Sequence, residues 1–151
     1  MSHDASIPPA ITNALAAGTP GDVLAATIAH FACAAGTVHR LEDGVLKLVA
    51  HLNIPPPVVQ IIATVPIGKG IAGLAAERRE PVTICNLQTD TSGQARPAAK
   101  QTGMEGSLAV PILVGAELRG VLGIAKPAAH DWTADETSAA LVIAAKLGER
   151  L

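Results

Sequence analysis

Aromatic side chains are almost absent from this sequence. Phe31 and Trp132 are the only two, and there is no tyrosine. Platforms that stack bases and cages that hold quaternary cations need several aromatic rings, so the composition argues against such sites. Neither sign of charge dominates, because acidic and basic residues are interspersed and the formal net charge is −2. We therefore expect no nucleic-acid partner, since nucleic-acid-binding domains carry a basic patch.

Cysteines and long apolar runs are also scarce. Cys33 and Cys85 are too few for a disulfide framework and form no Cys-x-x-Cys motif, so we interpret them as small buried residues. No apolar run approaches the ~20 residues that cross a bilayer, which predicts no membrane span. The first residues lack the basic and apolar regions of a secretory signal, and we expect a cytoplasmic location.

The sequence has enough apolar residues to fold. Its 151 residues are 49% hydrophobic and 16% charged, which is typical of a globular protein rather than a disordered one. This length suits one domain, so we predict a single domain over residues 1–151.

Helical periodicity occurs at both ends of the chain. A short N-terminal helix is predicted within residues 1–18 and closed by Gly18. A second helix begins at Thr19, and its apolar stripe runs from Leu24 to Ala35. Thr133 and Glu136 have the spacing of a capping box, which predicts a C-terminal helix over residues 133–151.

Two hairpins are predicted from turn residues. Asp43-Gly44 separates two alternating segments, and an uninterrupted register places Thr37 opposite Ala50. In that register His39 and His51 lie on opposite faces, which argues against a shared metal ion. Gly115-Ala116 separates two nearly continuous apolar strands and suits a type II′ turn.

The middle of the chain predicts a helix from about residue 70 to 79 and a strand over 81–87. Residues 86–106 then form a long polar connection with a helical turn near 95–101. Hairpins separated by helices predict an α+β fold with an antiparallel sheet.

Residues 68–73 match the dinucleotide-binding fingerprint G-x-G-x-x-G. That motif requires a parallel, doubly wound sheet, which the predicted hairpins do not provide. We interpret these glycines as a tight strand-to-helix turn, whose helix N-terminus beside Lys69 could still attract an anion.

The sequence resembles the GAF domain family. Six segments match family motifs in family order, over roughly residues 5–151. They are Leu46–Ala50, Ile67–Gly73 (IGKGIAG), Glu80–Ile84, Ser107–Ile112 (SLAVPI), Leu118–Gly123 (LRGVLG) and Trp132–Glu136 (WTADE).

The resemblance implies an antiparallel sheet of five or six strands. Its N- and C-terminal helices would pack on one face, and a ligand pocket would lie on the other. GAF domains typically bind small molecules and report occupancy to a partner. The Cys-His pair of bilin-attaching members and the pattern of cyclic-nucleotide-binding members are absent.

The connection 86–106 lies beside the pocket in the family. We interpret it as a lid that supplies polar contacts to a ligand; the alternative is an ordinary solvated loop. No catalytic, metal-binding or cofactor-binding set is predicted. The candidate ligand-binding residues are Ile84, Asn86, Thr89, Asp90, Arg96, Lys100, Met104 and Ser107.

We predict a non-catalytic sensor domain whose ligand and signalling partner the sequence does not name. The last helix is apolar on nearly all sides, which predicts a homodimer through the terminal helices. One alternative is a dimerisation module whose pocket is closed by its own side chains. Another is a thiol-dependent enzyme of the free methionine sulfoxide reductase type using Cys85, although neither cysteine fits that family's motif.

Overall fold

Helices alternate with hairpins along the chain, as the changes of period in the sequence predict. The computed structural model describes residues 7–151, so the first six residues of the predicted N-terminal segment lie outside the described part. The helices are α1 Pro9–Ala17, α2 Pro20–His30, α3 Pro56–Ile62, α4 Gly70–Arg78, α5 Pro97–Lys100 and α6 Ala134–Gly148. The strands are β1 Ala35–Glu42, β2 Val45–Leu52, β3 Thr64–Pro66, β4 Val82–Ile84, β5 Gly106–Val114 and β6 Glu117–Lys126.

The strands form one antiparallel sheet in the order β3-β2-β1-β6-β5-β4. Every neighbouring pair runs antiparallel. The predicted α+β fold with an antiparallel sheet is confirmed, and the sheet has six strands within residues 7–151.

Both predicted hairpin turns are present. Asp43 and Gly44 have φ values of 53° and 79°, as a type I′ turn requires. At the second turn only Gly115 has a positive φ, of 61°, which agrees with type II′. These primed turns match the right-handed twist of the strands that they join.

The predicted register of the first hairpin is wrong beyond His39. His39 pairs with Leu48 as predicted, but Val38 pairs with Ala50, so Val49 is an extra residue in β2. This β-bulge shifts the pairing by one residue and places His51 opposite Thr37. His51 therefore lies on the same sheet face as Thr37 and His39, not on the opposite face.

The second helix ends earlier than predicted. It stops at His30, and Ala35 already belongs to β1. Ala32 has a φ of 54°, and its amide donates to the carbonyl of Ala29 while the Cys33 amide donates to Ile28. These two bonds form a Schellman motif, which closes the helix although alanine stands where glycine is usual.

Two other elements are also shorter than predicted. β4 covers Val82–Ile84 rather than 81–87, because it pairs with β5 for only three residues. α6 ends at Gly148 rather than at the chain end, where the amides of Arg150 and Leu151 bond to carbonyls three residues back. The capping box of Thr133 and Glu136 is confirmed at its start.

The terminal helices α2 and α6 pack on one face of the sheet, as predicted, and α1 packs on α2 and α6. α6 contacts β5, and α2 contacts β1 and β2. The core on this face contains Ile11, Val23, Leu24, Ile28, Val38, Leu108, Val110, Ile112, Leu122, Ile124, Ile143 and Leu147.

α4 covers the other face of the sheet, where it contacts β3, β4, β5 and β6. A smaller core lies beneath it, formed by Leu46, Val65, Ala75, Ala76, Val82, Ala109 and Val121. No helix within residues 7–151 is both long and apolar enough to cross a membrane.

Candidate functional site

A cavity of about 150 Å³ lies between the sheet and α3, α4 and α5. Its floor consists of small residues on the neighbouring strands β1, β6 and β5, and these residues leave space that larger side chains would fill. The floor residues are Ala35, Thr37, Ser107, Ala109, Gly123 and Ala125. The volume matches an apolar cavity that holds a molecule the size of benzene.

The walls of the cavity are mainly aliphatic. Val58 and Ile62 come from α3, Val65 from β3 and Ile71 from α4, while Leu87 begins the long connection. Val58, Val65 and Leu87 are buried. An aliphatic wall favours a ligand with an apolar body, because burying that body removes its surface from water.

The mouth of the cavity carries two cations. Ile61, Lys69 and Arg96 are the lining residues that are exposed to solvent. No hydrogen bond or ion pair joins the Lys69 or Arg96 side chain to another residue between 7 and 151. None of the described lining residues is acidic. The lining therefore carries two cations and no anion, while the Glu77 carboxylate lies against Gly68, next to Lys69.

The N-terminus of α4 also faces the cavity. Lys69 is its N-cap, its side chain has no acceptor for a capping hydrogen bond, and the first turn contains no acidic residue. Gly70 and Ile71, which line the cavity, begin the helix, so their amides have no carbonyl partner within the helix. The Arg96 side chain lies against Gly70, where an added Cβ would be 3.0 Å from Arg96 Cδ. Together these groups bring backbone amides and a guanidinium to one place.

The glycines of the 68–73 motif have structural roles. Gly68 and Gly70 adopt positive φ values of 87° and 68°. A Cβ at Gly73 would be 2.5 Å from the Pro66 carbonyl oxygen, so the helix could not approach β3 with any other residue there. The motif makes a strand-to-helix turn beside an antiparallel sheet, as interpreted from the sequence, and not a dinucleotide-binding βαβ unit.

His39 is the one fully buried ring in the cavity wall among the described residues. It is 2% exposed, and its Nε2 lies 2.9 Å from the carbonyl oxygen of Ile62. Its Nδ1 is buried and has no partner within the described chain. Burial lowers the pKa of His39 despite the opposing effect of the bond to Ile62, so the ring is neutral near pH 7. His39 thus lines the cavity, while its Nδ1 is enclosed within the protein.

Three of the eight residues predicted to bind ligand line the cavity. Arg96 lies at the mouth, Met104 in the covering connection, and Ser107 on the floor. Ile84 is buried in β4 opposite Ser107 but does not line the cavity.

The other four predicted residues lie in the connection, outside the lining. The Asn86 side chain bonds to Glu105 at 3.2 Å and accepts from the Gln88 amide at 2.9 Å. Asp90 accepts from Ser92 at 2.7 Å, while Thr89 and Lys100 are exposed.

Gln88 holds the two ends of the connection together. Its side-chain amide donates to the carbonyl oxygens of Lys100, at 3.1 Å, and Met104, at 2.8 Å. Residues 97–104, which include α5, thus remain over the cavity.

Sequence reasoning missed His39 and used Lys69 only as a neighbour of a helix end. The alternation of β1 placed His39 on one sheet face, but nothing in the sequence identified that face as the pocket side. His39 pairs with Leu48, which shares a sheet face with the buried Leu46. That pairing is the one signal that could have identified the face of His39 as the pocket side.

Neither cysteine lines the cavity. Cys33 packs against the core on the helix side, and burial raises the pKa of its thiol to about 11. Cys85 is exposed, not buried as predicted, and a hydrogen bond with the Asp131 carboxyl group raises the pKa of its thiol. Both thiols are therefore protonated and weakly nucleophilic near pH 7.

The chain is similar in fold to solved GAF domains and related proteins. The GAF domain of a phosphoenolpyruvate-protein phosphotransferase from Coxiella burnetii has a TM-score of 0.72 and 22% identity, covering 97% of this chain and 84% of that chain. A free methionine-R-sulfoxide reductase from Neisseria meningitidis, in complex with its substrate, has a TM-score of 0.75 and 14% identity, covering 93% and 83%. A putative sensor histidine kinase domain from Sinorhizobium meliloti has a TM-score of 0.66 and 19% identity, covering 84% of both chains.

No curated protein matches the sequence. The family model for the GAF domain, however, matches residues 21–150. This match covers most of the chain and agrees with the sheet order, the helix placement and the six motif segments. The chain therefore belongs to the GAF domain family.

Proposed function

We propose that residues 1–151 form a single GAF domain that binds a small molecule in the cavity and acts as a non-catalytic sensor. The cavity itself carries this proposal. Its floor of small side chains leaves room for a ligand, and its mouth offers charged groups that have no partner within residues 7–151. The cytoplasmic location and the signalling partner stay predictions from the sequence.

A route from ligand to partner follows from the strands of the floor. Thr37 faces the cavity on β1, while its neighbour Val38 is buried beneath the terminal helices. β5 and β6 have the same arrangement, with residues of the helix-side core between the floor residues. A ligand that favours one strand position would shift the population of helix arrangements on the other face. We propose that a partner, or a second copy of the chain, reads this change on α1, α2 and α6.

The thiol-enzyme alternative draws support from the fold shared with free methionine-R-sulfoxide reductases. Such chemistry needs a thiolate at the bound substrate and a second thiol to resolve the product. Cys33 and Cys85 lie outside the cavity lining, and the pKa of each is raised. We therefore expect a Cys33→Ser, Cys85→Ser double variant to keep ligand binding. A turnover that the unmodified protein catalyses and the double variant does not would instead favour the enzyme.

The test of the sensor function is a thermal-shift screen with amino acids, organic acids, nucleotides and inorganic anions. A ligand at about 100 times its Kd adds roughly 2.7 kcal/mol to the free energy of unfolding. Ala125→Leu should abolish the response, because the larger side chain occupies the cavity floor. Ala10→Leu, on the exposed surface of α1, is the matched control and should retain it.

Two results would contradict the proposal. A ligand that stabilises Ala125→Leu as well as the unmodified protein would bind outside the cavity. A screen without any hit would favour the dimerisation module, in which the cavity has no ligand.

A further inference from the structure

Thr37 places a free hydroxyl group on the floor of the cavity. Its neighbour Val38 is buried in the helix-side core, so the Thr37 side chain points to the opposite face of the sheet, where the cavity lies. The hydroxyl group makes no hydrogen bond to another residue between 7 and 151. It is also not one of the enclosed side-chain atoms of this range that lack a partner. A ligand in the cavity can therefore reach it.

Gly123 of β6 leaves open space beside this hydroxyl group. Gly123 pairs with Thr37, and its neighbours Leu122 and Ile124 belong to the helix-side core, so a Cβ at Gly123 would point into the cavity. Such a Cβ would lie 3.0 Å from Thr37 Oγ1, while the next nearest atom, the carbonyl oxygen of Leu108, would be 3.9 Å away. The Thr37 hydroxyl group thus borders a space that any other residue at this position would fill.

The interior of the cavity is uncharged. Near pH 7 its charged lining residues within the described chain are Lys69 and Arg96, and both are exposed at the mouth. Exposed charges contribute little to binding because water screens them, and the Glu77 carboxylate lies near Lys69, against Gly68. A carboxylate or ammonium group on the floor would lose its hydration without gaining an opposite charge. An alcohol or an amide loses less, since one hydrogen bond to Thr37 replaces a bond to water.

We infer that the ligand is a short, uncharged aliphatic molecule with one hydrogen-bonding group, of the alcohol or amide class. That group bonds to the hydroxyl group of Thr37 above Gly123, and the alkyl body contacts the aliphatic wall. The cavity of about 150 Å³ limits the ligand to roughly the size of benzene. This inference rests on the proposed sensor function and names the ligand class for the same cavity.

The test is titration of the intact protein, followed by NMR of the backbone amides, with three compounds that share one carbon skeleton. They are isoamyl alcohol, isoamylamine and isovalerate. The alcohol has as many non-hydrogen atoms as benzene, and we expect it to bind most tightly and to shift the signals of Thr37 and Gly123. The amine and the acid should each bind about tenfold more weakly, because their charged groups must be desolvated.

Substitutions locate the hydrogen bond. Thr37→Val keeps the shape of the side chain and suits a strand, but it removes the hydroxyl group and should weaken the alcohol about fivefold. Gly123→Ala should weaken the alcohol about tenfold, because the new methyl group occupies the space beside the hydroxyl group. Thr83→Val is the matched control, since Thr83 is exposed on β4 and does not line the cavity.

The outcomes separate this inference from the sensor function. The inference is overturned if the amine or the acid binds the unmodified protein as tightly as the alcohol does. It is also overturned if Thr37→Val retains full affinity, or if only Ser107→Ala, which removes the other hydroxyl group of the floor, weakens the alcohol. The comparison of ligands on the unmodified protein decides the case even if a variant does not fold. If none of the three compounds binds but another compound stabilises the protein in an Ala125-dependent way, only the inference fails.

Discussion

Ala32 closes the second helix in a conformation that alanine disfavours. Its φ is 54°, in the left-handed region where a Cβ is strained, and its side chain is exposed. Glycine adopts this conformation without that strain. We expect Ala32→Gly to raise the free energy of unfolding by about 0.5–1 kcal/mol, measured by urea denaturation.

The control for this prediction is Ala25→Gly, on the exposed face of the same helix. In a helix interior glycine should lower stability by about 1 kcal/mol, because it has more backbone freedom to lose. The opposite signs distinguish relief of strain from a general effect of glycine, and equal losses would refute the role of Ala32.

Glu136 links the start of α6 to His130. Its carboxylate accepts from the Thr133 amide at 2.8 Å and contacts His130 Nε2 at 2.9 Å. Partial burial opposes ionisation, but the hydrogen bonds from Thr133 and His130 together outweigh it and lower the pKa of Glu136. A lowered carboxyl pKa stabilises the fold above the unfolded pKa of about 4.3, and this contribution is lost as pH falls through the folded pKa.

We therefore expect Glu136→Gln to lose roughly 0.5–1 kcal/mol of stability near pH 7 and almost none near pH 3. Glutamine keeps the capping geometry, so the difference isolates the charge. Urea denaturation at both pH values measures it. Glu80→Gln, at an exposed position, is the control, and a loss from Glu136→Gln that does not change with pH would contradict the prediction.

Single residues also explain where sequence reasoning stopped. Asp43-Gly44 identified its hairpin because both positions require turn chemistry that few residues supply. Ala32 carries no such signal, so the end of α2 was missed. The bulge at Val49 was missed for the same reason: valine suits a regular strand, and the extra residue becomes visible only when the register of β1 and β2 is known.

At the scale of elements, local signals predicted most of the fold. The cavity, in contrast, depends on contacts between segments that are distant in sequence. The hairpins, the α6 cap and the turn at residues 68–73 each depend on neighbouring residues. The cavity floor combines β1 with the β5–β6 hairpin, which is far from β1 in sequence. The family position of the 86–106 loop indicates Arg96 and Met104, and Ser107 lies at the start of the strand that follows it, whereas His39 requires the sheet order.

One side chain, that of Gln88, holds the connection over the cavity. Gln88 bonds to the carbonyl oxygens of Lys100 and Met104, but it is itself exposed. We expect Gln88→Ala to speed hydrogen exchange in residues 97–104 about tenfold while global stability changes by less than about 0.5 kcal/mol.

Mass spectrometry of deuterium uptake measures this local opening. Gln101→Ala is the matched control, since Gln101 is exposed on the same segment and its side chain has no hydrogen bond to another residue within 7–151. If both variants exchange alike, Gln88 does not fasten the connection.

At the scale of the whole molecule, one side of α6 is not used by the core. Ile143 and Leu147 are buried against the sheet, but Val142 and Ala145 are only half-buried and do not belong to either core cluster. These two residues are three apart and share a face of the helix. An apolar face of this kind is stabilised by covering it, and a second copy of the chain covers both faces at once in a two-fold dimer.

We therefore predict that the protein is a homodimer through its terminal helices. Light scattering should give twice 15.3 kDa at about 100 µM and a fall towards one chain on dilution. Val142→Glu should shift the protein to monomer, because it buries charge in the apolar contact. Ile67→Glu is the matched control, since Ile67 is 36% exposed next to α4, which covers the sheet face opposite the terminal helices, and should leave the dimer intact. A monomeric mass at every concentration would refute the dimer and leave any output to a different protein partner.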